Sequence, residues 1–241
     1  MNKFKRLGIG LLVLVGSQQA WARQDAGTTI NNSLQKYRHV SMGTVYITAT
    51  DSVRGKLTYD EVSDKLSLVQ EGKDRKFNPN EVLGFRLDSL DQHYESQATA
   101  DVVGGGSKSF YLNLTPNKGQ RLKVYRSLQL DADLLGTKIV GGDVVGSYEY
   151  GVLLPGTTKV TGITQLKLTP YYKKMPAYVK DCPALAEKIT AKQQGYTYGK
   201  GGLGGLMTPT TGEIKRPVDD RATNEALQVM LRIAQEYNAC K

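Results

Sequence analysis

Apolar and polar residues alternate along much of the chain between residues 43 and 168. Val45, Ile47 and Ala49 interleave with Tyr46 and Thr48, which is the period of a half-buried strand. Residues 51–55 read as a turn and 56–59 as the start of the returning strand. Leu66, Leu68 and Val69 predict another short strand. The run Asn78-Pro79-Asn80 punctuates the chain, and 82–87 follow as a further strand. Gly104, Gly105 and Gly106 predict a turn or joint. Phe110, Leu112 and Leu114 then alternate with Tyr111 and Asn113. Turn-forming residues at Pro116, Asn117, Lys118 and Gly119 predict antiparallel pairing of 109–114 with 121–130. Further strands are expected at 147–154 and 158–168.

One position disturbs this alternation. Leu122, Val124, Leu128 and Leu130 share a face of the 121–130 strand, and Arg126 falls in the middle of it. An unpaired arginine on an apolar face is costly. Either a β-bulge re-aims it outward, which is the reading adopted, or it is buried against a carboxylate or ligand.

After residue 168 the period lengthens. Asp181-Cys182-Pro183 reads as a helix start, with proline tolerated in the first turn, and Leu185, Ala186 and Ile189 give that helix one apolar face. Residues 195–217 are rich in Gly, Thr and Pro and predict a loop. A last helix is expected over 220–238, with a buried stripe of Ala222, Ala226, Val229, Met230, Ile233 and Tyr237. Strands first and helices last predict an α+β fold: a mainly antiparallel sheet at 43–168, then a two-helix cap at 169–241.

The N-terminus has a different pattern. Lys3, Lys5 and Arg6 precede an uncharged apolar run at 7–16, and Ala20-Trp21-Ala22 supplies small residues at the positions a signal peptidase inspects. This predicts a cleaved leader at 1–22 and an exported, periplasmic or extracellular chain. The apolar run is too short for a spanning helix, which needs about 20 residues. No transmembrane span is expected in the mature chain, and 23–42 reads as a polar, flexible lead-in.

Export changes the reading of the cysteines. An even count in an oxidising compartment predicts a disulfide between Cys182 and Cys240, joining the two helices. The competing reading is a cysteine nucleophile with His39 or His93 as its base. It requires a thiolate beside a histidine, which nothing in the sequence places there.

Charge is uneven. The chain carries +9, and the leader accounts for +3 of it. Residues 161–216 hold nine basic and three acidic side chains, almost the whole remaining surplus. Tyr171, Tyr172, Lys173, Lys174 and Lys180 lie in this stretch and form the candidate binding residues, since tyrosine beside lysine can stack on and neutralise an anionic polymer. Outside the cytoplasm the partner expected is an anionic envelope component or another envelope protein, not nucleic acid.

Catalytic signals are sparse. The glycines around Lys200 lack the spacing and the Ser or Thr of a phosphate-binding loop. Asp88, Asp91, His93 and Glu95 match no metal-loop spacing, and no cofactor or metal is expected. Those residues, with Asp131 and Asp133, are the carboxylates a hydrolase would draw on.

The segments GTVYITATDSVRGKLTY, KLSLV and KFNPNEVLGFRL, followed by YVKDCPALAEKI and IAQEYNACK, resemble a group of exported proteins of unknown function from Bacteroidota. The resemblance implies export and a cysteine pair, and it implies no activity. The reading reached is an exported, non-catalytic, envelope-associated binding or structural protein. The alternative is a carboxylate-dependent envelope hydrolase.

Overall fold

The computed structural model describes residues 34–99, 108–116, 119–130, 132–133, 136–137, 139–140, 143–144, 146–163, 171–197 and 220–240. The leader, the Asp131 position and most of the glycine-rich loop lie outside them.

The first hairpin is longer than the sequence suggests. Strands β1 (Arg38–Tyr46) and β2 (Ser52–Asp60) pair antiparallel over their whole length. β1 begins inside the stretch read as a lead-in. The turn lies at 47–51, where the Ile47 and Thr48 amides bond the Asp51 carbonyl, and not at 51–55. Gly55 therefore sits in mid-strand, directly opposite Gly43. Both glycines are there for close approach. A Cβ on Gly55 would meet the Val69 carbonyl oxygen at 2.7 Å, and one on Gly43 would land on the Arg86 carbonyl.

The meander continues through β3 (Lys65–Gln70), β4 (Lys73–Phe77), β5 (Gly84–Leu87), β6 (Gln92–Thr99), β7 (Lys108–Asn113) and β8 (Lys123–Leu130). Short two-residue ladders follow: β9 (Ala132–Asp133) with β10 (Gly136–Thr137), and β11 (Ile139–Val140) with β12 (Asp143–Val144). β13 (Gly146–Leu153) then returns along β8, and β14 (Lys159–Gly162) along β13. The sheet order is β14-β13-β8-β7-β6-β5-β1-β2-β3-β4. β14 also pairs in parallel with β6, through Lys159 opposite Ala98 and Val160 opposite Thr99. That pairing closes β6, β7, β8, β13 and β14 into a ring, so one end of the sheet has no free edge.

Arg126 is not on a bulge. Every residue from Lys123 to Leu130 has its partner in β13, and Arg126 faces Tyr150 there and Leu112 in β7. The register expected for a regular strand holds, and the arginine stays on the apolar face.

Two apolar clusters occupy that face. Around β1–β7, Tyr59, Phe85, Tyr94 and Phe110 pack with ring centroids 4.7–5.8 Å apart, beside Leu57, Leu66 and Leu68. Further along, Leu122, Val124, Val152 and Leu154 pack against three helices. These are α1 (Tyr171–Tyr178), α2 (Pro183–Thr190) and α3 (Asp220–Ala239). The α+β division is as expected, and among the described residues α1 adds a third helix to the two expected in the cap. Ala226, Val229, Met230, Ile233 and Tyr237 form the buried stripe of α3, as the helical period predicts. Residues of opposite parity face the inside of the ring, where Tyr111, Tyr125 and Val160 meet across it.

The Cys182–Cys240 disulfide joins the start of α2 to the end of α3, with a Cα separation of 6.0 Å. No free cysteine remains, so the thiolate reading is excluded. Among the described residues no helix is long and apolar enough to cross a membrane.

Candidate functional site

The basic segment folds as α1 and the turn after it. Met175 and Val179 are buried in the helical core, with Tyr172 and Tyr178 half-buried against it. This pins one side of α1 and leaves the other to solvent. Lys173 and Lys174 are exposed on the free side. The Val179 amide still reaches the Met175 carbonyl at 3.2 Å, so the chain stays helical to that point. Lys180, seven residues after Lys173, therefore emerges on the same side and is exposed. Lys192, just past α2, lies over the Tyr172 ring with Nζ 4.2 Å from its centroid.

This placement sharpens the sequence expectation and corrects part of it. Lys173, Lys174 and Lys180 form no ion pair with any described residue. Tyr172 does not offer a free ring, since it packs on the core and carries Lys192. Tyr171 opens α1, and its side chain lies outside the described set.

Around the cap, Arg121 and Lys188 are committed to acidic partners. Arg121 pairs with Asp181, donates to the Tyr237 carbonyl at 2.8 Å and the Cys240 carbonyl at 2.8 Å, and stacks over the Tyr237 ring at 4.1 Å. The Asn238 carboxamide oxygen accepts from the Arg121 and Leu122 amides, and its nitrogen donates to the Leu122 carbonyl. Together these tie the end of α3 to the start of β8. Lys188 pairs with Glu236 at 2.9 Å, and Glu236 also accepts from Tyr196. The Glu236 and Tyr196 groups hold the Lys188 ammonium above its ordinary pKa.

Among the described candidate carboxylates, Asp88 and Asp91 both lie against Arg86, and Glu95 is engaged elsewhere. Asp88 pairs with Arg54 at 2.6 Å, and Asp91 with Arg86 at 2.8 Å, both at the surface. His93 lies beside Arg86 on β5, and its pKa is lowered by burial and by that guanidinium. Glu95 turns into the mouth of the ring. Among the described residues no group of three or more His, Cys, Asp or Glu could hold a metal ion. Asp133 sits in β9, but its side chain, like residue Asp131, lies outside the described set.

Two polar clusters were not anticipated. In the ring mouth, Glu95 accepts from Lys123 at 2.8 and 2.9 Å, Tyr125 at 2.6 Å and Asn113 at 2.8 Å. Burial alone would raise its pKa, but the lysine, the phenol and the amide override that and hold it below 4.5.

The second cluster gathers around Glu61, whose side chain is only 6% exposed. Its carboxylate accepts from Tyr94 at 2.9 Å and Tyr148 at 3.4 Å, with Arg126 4.0 Å away. His39 Nε2 lies 3.4 Å off but without hydrogen-bond geometry. The Arg126 guanidinium stacks on Tyr148 at 4.1 Å. Here too burial would raise the carboxyl pKa, and His39, Tyr94 and Arg126 lower it instead. Both carboxylates are held anionic, Glu95 by Lys123, Tyr125 and Asn113 and Glu61 by Tyr94, Tyr148 and the nearby Arg126. Arg126 on an apolar face was the one sequence signal for the Glu61 cluster.

Comparison with known proteins finds no family model, no curated protein and no solved structure that matches the chain.

Proposed function

We propose that this is an exported, non-catalytic protein that binds an anionic component of the cell envelope through the free side of α1. The observation that carries this reading is the row Lys173, Lys174 and Lys180, exposed and without an ion pair among the described residues. Nearby, Lys188 and Arg121 are paired with Glu236 and Asp181. Each lysine near an anionic lipid surface contributes about 1 kcal/mol, so three give a useful but reversible attraction. The leader pattern at 1–22 supports export, and so does the disulfide, which an oxidising compartment favours. The resemblance to exported proteins of Bacteroidota supports the same reading.

The test is retention on isolated envelopes. The Lys173→Glu, Lys174→Glu and Lys180→Glu triple variant is expected to wash off at lower salt than the parent. Equal retention of the two proteins at every salt concentration contradicts the proposal.

A further inference from the structure

The sheet ends at β4, and that end is open. The other end closes on β6, so among the described residues β4 is the one terminal strand of the large sheet. Glu71 and Gly72 both have positive φ (50° and 76°) and connect β3 to β4 as a two-residue hairpin turn. Such a turn makes the flanking pair, Gln70 and Lys73, a hydrogen-bonded one, and the alternation then runs along the ladder. Leu68 with Arg75 and Leu66 with Phe77 are hydrogen-bonded pairs. Asp74 and Lys76 therefore point their N–H and C=O groups away from β3, toward solvent.

Side chains at this edge are also free to engage. Lys73, Asp74, Arg75 and Lys76 are all exposed, and only Phe77 is buried. Lys73 and Arg75 lie on the core side, Arg75 over the Phe77 ring, while Lys76 shares the opposite face with Asp74, so the surplus positive charge an added strand would meet is on the core side. Val69, 44% exposed, stands beside Asp74 and offers apolar contact.

We propose that β4 accepts an extended acidic segment of a partner protein as an additional strand. Backbone bonds to Asp74 and Lys76 would supply register, and Lys73, Arg75 and Lys76 would select for acidic side chains. A second copy of this chain is a poorer fit, because the antiparallel register that sets Asp74 opposite Lys76 also sets Arg75 against Arg75. The inference is independent of the α1 proposal, and neither depends on the other.

The experiment uses the whole protein and two synthetic peptides, one alternating Glu with Val and Thr, the other with Lys in place of Glu. Amide hydrogen exchange is followed residue by residue. The acidic peptide is expected to slow exchange at Asp74 and Lys76, and the lysine peptide to leave both unchanged. Lys76→Pro removes one outward donor while remaining compatible with an edge strand. It is expected to weaken binding about tenfold, the effect of one or two lost hydrogen bonds. Lys76→Thr keeps the donor and loses one surface charge, so a decrease of about threefold is expected. Protection confined to α1, equal binding of both peptides, or Lys76→Pro binding as tightly as the parent would each overturn the proposal.

Discussion

Glu95 shows how a polar residue can hold a β ring together. Its donors come from β7 and β8, while the residue itself belongs to β6, so one carboxylate joins three strands. Removing its charge leaves Lys123 without a counter-ion at a half-buried site. Glu95→Gln is expected to cost about 1–3 kcal/mol, the range for hydrogen bonds to charged groups, reduced by partial exposure. Urea unfolding with an unchanged slope checks this. In contrast, Lys173→Glu touches nothing buried and is expected to move stability by less than about 0.5 kcal/mol. The contrast separates residues that build the fold from those available for binding. The Glu95 network is not legible in the sequence, because its donors on β7 and β8 stand 18–30 residues from it and only the ring pairing brings them together. Arg126 was different: its place on an apolar face already asked for a carboxylate, though not which one.

At the scale of elements, the strands and helices with clean periodicity were legible and those with mixed faces were not. β1, β2, β3, β5, β7 and β8 follow from alternation, and α3 from its stripe. β4 was missed because it is an edge strand with four charged residues and one buried phenylalanine. β6 was missed because one face carries Glu95 and Gln97 into the ring mouth while the other mixes Tyr94 with Ser96, so no apolar period survives. α1 contains Pro176, which a sequence reading takes as a breaker. The disulfide was legible from compartment and count, and the structure adds what it clamps. It acts with Arg121 and Asn238 at one corner, where α2, α3 and β8 meet. Replacing Cys182 and Cys240 together with serine is expected to cost about 4 kcal/mol for a loop of 58 residues. The measurement is the shift in unfolding midpoint against the parent, with reduced parent protein showing the same loss.

For the whole molecule, the hydrogen-bonded carboxylates set the response to acid. Glu61, Glu95 and Glu236 have folded pKa values below 4.5. Between each folded value and 4.5 the unfolded chain holds protons that the folded chain does not, so stability rises with pH through that window. It is fully present above 4.5 and is lost as pH falls through the folded values. Asp64 opposes this. Burial raises its pKa above 3.8 despite bonds from the Phe110 amide and the Tyr59 hydroxyl, so its ionisation costs stability at higher pH. These carboxylates, with the exposed Asp181 also held low and His93 held below 6.5, outnumber Asp64, so stability falls as pH drops from about 6.5 and on through the carboxylate range. Thermal unfolding from pH 3 to 7 should show it, with a flatter profile in Glu95→Gln.

The α1 row and the β4 edge are exposed basic surfaces, whereas Glu61, Glu95 and Glu236 each lie beside a cationic side chain. The most direct test of the binding account is the affinity of the whole protein for anionic lipid vesicles and for a soluble sulfated polysaccharide, at low and at high salt. The account predicts binding to at least one of them that weakens with salt, and a loss of roughly a hundredfold in the Lys173→Glu, Lys174→Glu, Lys180→Glu variant, the equivalent of about 1 kcal/mol per lysine. Binding to neither probe, or binding that this variant leaves unchanged, would contradict it.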